Sequence, residues 1–203
     1  MPWLALLYPI LAHLGVWLQN PYLQWLALVA LLVAIMSGPL TSRRLWTLVW
    51  AWSALSVGAA ALYFLTRYGG GIYMLYVPPI ALPTFILYLF ARSLRTGGTP
   101  LVTRFAEIMR GEPLPPALRV YTRRVTQMWC AVATALIVSG VGAALWASPE
   151  LWSLITNVVH YVVLGAVFFL EFMYRRIRHA ELQPWGFMQY IRRLVRVRIS
   201  LNQ

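Results

Sequence analysis

Few polar residues interrupt the apolar stretches of this chain, and several of them recur at helical spacing. Asn157, His160, Tyr161, Leu164, Phe168 and Glu171 fall within one hydrophobic run. At about 100° per residue all six lie within about 100° of one another, so Asn157, His160, Tyr161 and Glu171 form one polar stripe on a helix. A carboxylate in a membrane span costs roughly 2.5–3.5 kcal/mol at mid-bilayer, less near the boundary, and marks a ligand, proton or substrate path. A structural alternative is equally concrete. Glu171 pairs with Arg175 one turn on, or with an Arg near the start of the preceding span, while Asn157 and His160 bond across the bundle.

Two other groups carry chemical potential. Pro78, Pro79 and Pro83 sit in the middle of an apolar run, where each removes an amide hydrogen and crowds the preceding turn. A helix kinked or broken there frees carbonyls at membrane depth, as in transporter binding sites. The third group is basic. Arg104, Arg110, Arg119, Arg123 and Arg124 fill one connection, and Arg192, Arg193 and Arg196 lie in the tail. Guanidinium groups in such clusters hold anionic headgroups or an acidic protein partner. No stacking platform accompanies them, which argues against nucleic acid.

The elements that position these groups follow from composition. Of 203 residues, 61% are hydrophobic and 11% charged, with a mean hydropathy of +0.67. A soluble domain has about 25% charged residues, and this much apolar surface exceeds what one water-soluble core of this size hides. The single Cys130 excludes a disulfide scaffold, and an aromatic content of 14% excludes a disordered tail protein. The expected fold is all-α, a polytopic membrane protein of about six transmembrane helices with cytoplasmic amphipathic helices.

The expected organisation is four N-terminal spans within 1–91 (3–18, 21–36, 45–65 and 72–91), an Arg-rich connection at 92–126, two C-terminal spans within 127–174 (127–147 and 152–174), and a basic tail at 175–203. The first two spans are short of the ~20 residues a crossing needs, so they thin the bilayer or re-enter as a hairpin. Every basic residue is Arg, and all but Arg67 fall on one side of this arrangement. Both termini are therefore expected in the cytoplasm. Met1-Pro2-Trp3 offers no basic leader, so the first span is not expected to be a cleaved signal peptide.

Finer features follow from local patterns. Ala131, Ala135, Ser139 and Ala143 recur every four residues as a packing seam, which is also the candidate contact in a homo-oligomer. Ala51, Ala54, Gly58 and Ala61 form a looser version. Trp25, Trp46, Tyr68, Tyr88, Trp129, Trp146, Trp152 and Tyr174 are placed as interfacial anchors. Thr99-Pro100 reads as a helix start, and Gly111 with Pro113, Pro115 and Pro116 as its end. Between them Leu101, Val102, Phe105, Ile108 and Met109 form an apolar face, with Thr103, Arg104, Glu107 and Arg110 polar, as in an amphipathic helix lying in the interface. A second helix starts at Pro116 and continues into the fifth span. After Pro184 the tail repeats the amphipathic theme.

The run Gly111-Glu112-Pro113-Leu114-Pro115-Pro116-Ala117-Leu118-Arg119, then Tyr121-Thr122-Arg123-Arg124-Val125-Thr126, resembles an uncharacterised family of bacterial inner-membrane proteins of similar size. Asn157, Tyr161 and Phe169-Leu170-Glu171-Phe172-Met173-Tyr174-Arg175-Arg176 fit the same family. Its members are often encoded beside fatty-acid-synthase-like genes that make aryl polyene or xanthomonadin-type pigments. The likeness covers mainly residues 104–176. It implies a role in making, handing over or anchoring a polyene or acyl product at the inner membrane, and it brings no established reaction.

Three functions compete. The first is a non-catalytic membrane component of a lipid or polyene-pigment pathway, docking an acidic carrier protein, a synthase or anionic lipid on its Arg face. The second is a small homo-oligomeric transporter or flippase for an acyl or polyene product. The third, a membrane transferase, finds little support: the chain has no Asp, no H-E-x-x-H and no nucleophile elbow. A site built from Glu171, Arg123 and Tyr121 for a phosphorylated headgroup is the one catalytic arrangement the spacing offers. No metal site and no cofactor are expected, because His13 and His179 lie on distant elements.

Overall fold

The computed structural model describes residues 6–95 and 97–178. The tail residues Arg192, Arg193 and Arg196 fall outside the described residues, as does the start expected for the first span at Trp3. Every regular element among the described residues is helical. They are α1 (Leu7–Trp17), α2 (Pro21–Ile35), α3 (Ser37–Leu40), α4 (Leu45–Arg67), α5 (Gly71–Ser93), α6 (Leu101–Arg110), α7 (Pro116–Trp146), α8 (Pro149–Leu154), a π-helical segment (Ile155–Val159) and α9 (His160–Arg178).

Among the described residues four stretches are long and apolar enough to cross a bilayer: Leu45–Arg67, Gly71–Ser93, Pro116–Trp146 and Pro149–Arg178. Their outward side chains are large and apolar, among them Leu45, Trp46, Trp50 and Val138. In water each would forfeit about 25 cal/mol per Å² of apolar area, a loss that a hydrocarbon surround removes. This is an all-α, membrane-embedded protein. Helices α1 and α2 are shorter, about 16 and 22 Å at 1.5 Å per residue, against a ~30 Å hydrocarbon core.

The chain divides into two compact units. The first comprises, among the described residues, 6–88 and Cys130–Val162. Its core is Tyr8, Ala12, Val16, Ala27, Leu28, Leu75, Ala143 and Trp152. Helices α1 and α2 make a tight hairpin. The Asn20 side chain accepts from the Tyr22 and Leu23 amides (2.9 and 3.3 Å), capping α2 with Pro21 at its first position. A Cβ on Gly15 would lie 2.8 Å from the Gln24 backbone nitrogen, so only glycine allows this approach. Trp25 then donates its indole N–H to the Ala59 carbonyl (2.9 Å), tying α2 to α4. It is a structural donor, a role that its expected place as an aromatic anchor did not include.

Of the kink and the break that the prolines allow, the break does not occur; α5 runs without interruption through Pro78, Pro79 and Pro83. One of the freed carbonyls is met from another helix. Pro79 lacks the amide that would bond the Leu75 carbonyl, and the buried Tyr8 hydroxyl donates to that carbonyl instead (3.1 Å).

A second correction concerns α7. Ala131, Ala135 and Ser139 are exposed, and the buried face of this stretch is Ala133, Leu136, Gly140 and Ala143. Small residues do mark close packing, but the face that packs within the chain is rotated from the four-residue repeat. Of the looser stripe on α4, Ala51 is buried while Ala54 and Ala61 are exposed. Trp152 is also not an interfacial anchor: it is fully buried and meets Tyr76 edge to face at 4.3 Å.

The second unit comprises, among the described residues, Leu89–Trp129 and 163–178. Its buried apolar residues are Leu114, Leu118, Val125 and Phe172. Helix α6 begins one residue later than expected, with Pro100 rather than Thr99 at the cap position and no side-chain cap on its own strand of chain. Its first amides find hydroxyls elsewhere. Leu101 N–H donates to Ser93 Oγ (2.9 Å) and Val102 N–H to Thr126 Oγ1 (3.3 Å). Gly111, left-handed at φ 82°, closes the helix as expected.

Candidate functional site

In the second unit, α6 and the first turns of α7 form a platform held from within by hydroxyls. Thr103 and Thr122 are hydrogen-bonded at 2.7 Å, and both are buried. Thr122 also reaches back to the Leu118 carbonyl (3.0 Å), and Thr126 to that of Thr122 (2.9 Å). Glu107 Oε1, one turn beyond Thr103, accepts from the Leu114 amide (3.2 Å) and from Arg119 Nη2 (3.1 Å). The polar side of α6 thus packs against protein. Ile108 points outward, and Leu101, Val102, Phe105 and Met109 are half-buried, an arrangement suited to a helix whose outer face meets lipid. Thr103, counted among the solvent-side residues from sequence, is an interior residue.

The Arg residues divide by helical position. Arg119 and Arg123, one turn apart, line a 280 Å³ cavity with Thr99, Thr103 and Glu107. Arg124 lines a larger groove of 650 Å³ beside Tyr121, Met128, Val167, Leu170 and Glu171. Arg110 pairs with Glu112 on the surface, and Arg104 is half-buried. Arg123 and Arg124 are both exposed, and neither pairs with a carboxylate among the described residues.

Glu171 lies at the groove wall. Tyr121 donates its hydroxyl to Oε1 (3.1 Å), and Arg175 Nη2 meets Oε2 (3.1 Å). The Arg175 and Glu171 side chains are only 9% and 8% exposed. This is the structural alternative drawn from the spacing, an i,i+4 pair that neutralises the carboxylate. Tyr121 and Tyr174 stack at 5.9 Å. The arrangement of Glu171 and Tyr121 with Arg123 is replaced by one with Arg175, and Arg124 takes the groove position. Residues 121 and 124 are one helical turn apart, whereas 123 is rotated about 200° from 121.

No protein-family model, curated protein or solved structure matches this chain.

The upper part of the polar stripe belongs to the first unit and has other partners. His160 is buried and its Nε2 lies 2.9 Å from Ser139 Oγ. Asn157, also buried, donates to Ser153 Oγ (3.2 Å), which in turn contacts His13 Nδ1 (3.2 Å). Tyr161 is 40% exposed and stands apart from this group. The stripe is therefore resolved into a His13–Ser153–Asn157 chain, a His160–Ser139 pair and the Glu171–Arg175–Tyr121 triad. Uniform 100° spacing does not hold through it, because Ile155–Val159 is π-helical and turns less per residue.

Several participants escaped the sequence reading. Thr103, Thr122 and Thr126 carried only a weak signal, the four-residue spacing of Thr122 and Thr126. His13 and Ser153 lie 140 positions apart and had none.

Proposed function

We propose that this chain is a non-catalytic, multi-pass component of a bacterial inner membrane, with its Arg-rich face in the cytoplasm as a docking platform for an acidic soluble partner. The observation that carries this reading is the exposure of Arg119 and Arg123 on the first turns of α7, fixed in place by the buried Thr103–Thr122–Thr126 hydroxyls. With the helices that carry this pair fixed, binding carboxylates or phosphates orders only the Arg side chains. The resemblance to pigment-locus membrane proteins suggests the partner's kind, an acyl carrier protein or a synthase of a lipid or polyene pathway. The distribution of Arg supports the orientation.

The test is co-purification in mild detergent of wild type beside Arg119/Arg123→Gln. An acidic partner recovered with wild type and lost from the variant is the expected result; equal recovery, or none with wild type, overturns the reading. The exposed Glu107–Arg119 contact contributes at most about 1 kcal/mol, so the variant is expected to remain folded.

A transporter for an acyl product is the second reading, favoured by the His13–Ser153–Asn157 chain inside the first unit, half-buried at His13 and buried at the other two. Its other supports are weaker than the spacing suggested, since α5 is continuous and Glu171 is already paired. Vesicle flux that falls in Asn157→Ala would favour this reading over docking.

A further inference from the structure

The 650 Å³ groove of the second unit lies within the usual ~300–1,000 Å³ range of ligand sites, and its lining is graded. Near Tyr121 and Glu171 it is polar. Met128 lies about 10 Å along α7 from Tyr121, and Val167 about 6 Å along α9 from Glu171, at 1.5 Å per residue; both are apolar. Val120 and Leu170 add exposed hydrocarbon wall. The groove's one carboxylate is already matched by Arg175. Arg124 is exposed and has no carboxylate partner among the described residues, so the groove carries a net positive charge at its polar end. Stacked Tyr121 and Tyr174 stand beside it, a pairing suited to headgroup depth.

We propose that this groove holds one anionic phospholipid of the surrounding bilayer, with the headgroup phosphate on Arg124 and an acyl chain along Met128, Val167 and Leu170. The ligand must carry both parts. A bare anion would meet one exposed guanidinium and leave the apolar wall uncovered, whereas a zwitterionic lipid would leave Arg124 facing its own cation. An acidic peptide would bury polar backbone against Val167 and Leu170 with no partner for it. The proposal deepens the docking reading, on which it rests for the placement of this end of α7 at the membrane surface. It assigns Arg124 a different ligand from Arg119 and Arg123, which line the other cavity.

The test is native mass spectrometry of the full chain from mixed micelles containing equal phosphatidylglycerol and phosphatidylcholine. Wild type is expected to retain phosphatidylglycerol at least about fivefold over phosphatidylcholine. Arg124→Gln should bring that ratio to about one, Arg124→Lys should keep most of it, and Val167→Trp should reduce retention of both lipids by filling the tail space. Millimolar inorganic phosphate should displace neither lipid, which separates a lipid headgroup from a free anion as the source. An unchanged ratio in Arg124→Gln, or displacement by phosphate alone, overturns the proposal. Helical circular dichroism identifies any variant that fails to fold, and the comparison of Arg124→Lys with wild type then still decides, since equal retention of the two lipids by both refutes it. Arg119/Arg123→Gln should leave the lipid ratio intact. Lipid preference without partner recruitment removes the docking reading alone; recruitment without lipid preference removes this inference alone.

Discussion

Glu171 and Tyr121 in the wall of the groove, with Arg175 behind them, show how an ionisable residue is made tolerable next to hydrocarbon. Glu171 has both oxygens occupied, one by Arg175 and one by Tyr121. Removing one partner of a buried ion pair costs about 3–5 kcal/mol, because the other charge is left uncompensated, whereas losing a hydroxyl donor costs about 0.5–1.5 kcal/mol. Thermal unfolding in detergent should therefore rank Glu171→Gln well below Tyr121→Phe, with wild type highest. Near-equal midpoints would mean that Glu171 is held mainly by something other than Arg175. Tyr8 presents a parallel case with a sharper test. Its hydroxyl serves the carbonyl that Pro79 leaves free, so Tyr8→Phe should cost about 1–3 kcal/mol alone. In a Pro79→Ala background the restored amide takes over the Leu75 carbonyl, and the same substitution should cost close to nothing. Additive effects in that double-mutant cycle would refute the link between the proline and the phenol.

Elements were legible where the signal was local. The runs at 45–65 and 72–91 became α4 and α5 with ends within a few residues. Gly111 with its following prolines stopped α6, and Pro116 started α7. What escaped depended on partners distant in the chain. The Leu75 carbonyl that Pro79 leaves free in α5 is met by Tyr8, 67 positions away. The start of α6 needs Ser93 and Thr126 rather than the adjacent Thr99. A helix face cannot be oriented from small residues alone, because Ala131 and Ala135 are the same residue type as Ala133 and Ala143, and only the neighbours choose between them. The glycines give a clean comparison at this scale. Gly15→Ala places a Cβ against the Gln24 backbone at 2.8 Å and should lower stability by about 1–3 kcal/mol. Gly165→Ala, in α9 with open space around it, should raise it by up to about 1 kcal/mol. Equal midpoints for the two would show that α1 and α2 can separate without loss.

For the whole molecule, the orientation proposed from the Arg distribution is the same whether the α1–α2 hairpin spans or re-enters, since either way its two ends emerge on one side. In a Cys130→Ala background, Thr99→Cys in intact cells should resist an impermeant maleimide until the membrane is opened, and Tyr68→Cys should label at once. The reverse pattern would put the Arg platform outside and remove its soluble partner. The same helix that carries Asn157 also carries a record of its own length. In the π-helical turn Ile155–Val159 the ladder spans five residues instead of four, so the turn holds one residue more than an α-helix needs there. A single deletion within 155–159 should therefore be absorbed by the ladder tightening to ordinary α geometry, without a break in the helix. Because the wider turn advances fewer degrees per residue, the loss should leave Ser153 and His160 close to their present angular relation. Elsewhere in the spans a deletion has no such slack to draw on, which makes this the position where the chain can change its length by one and keep its helices.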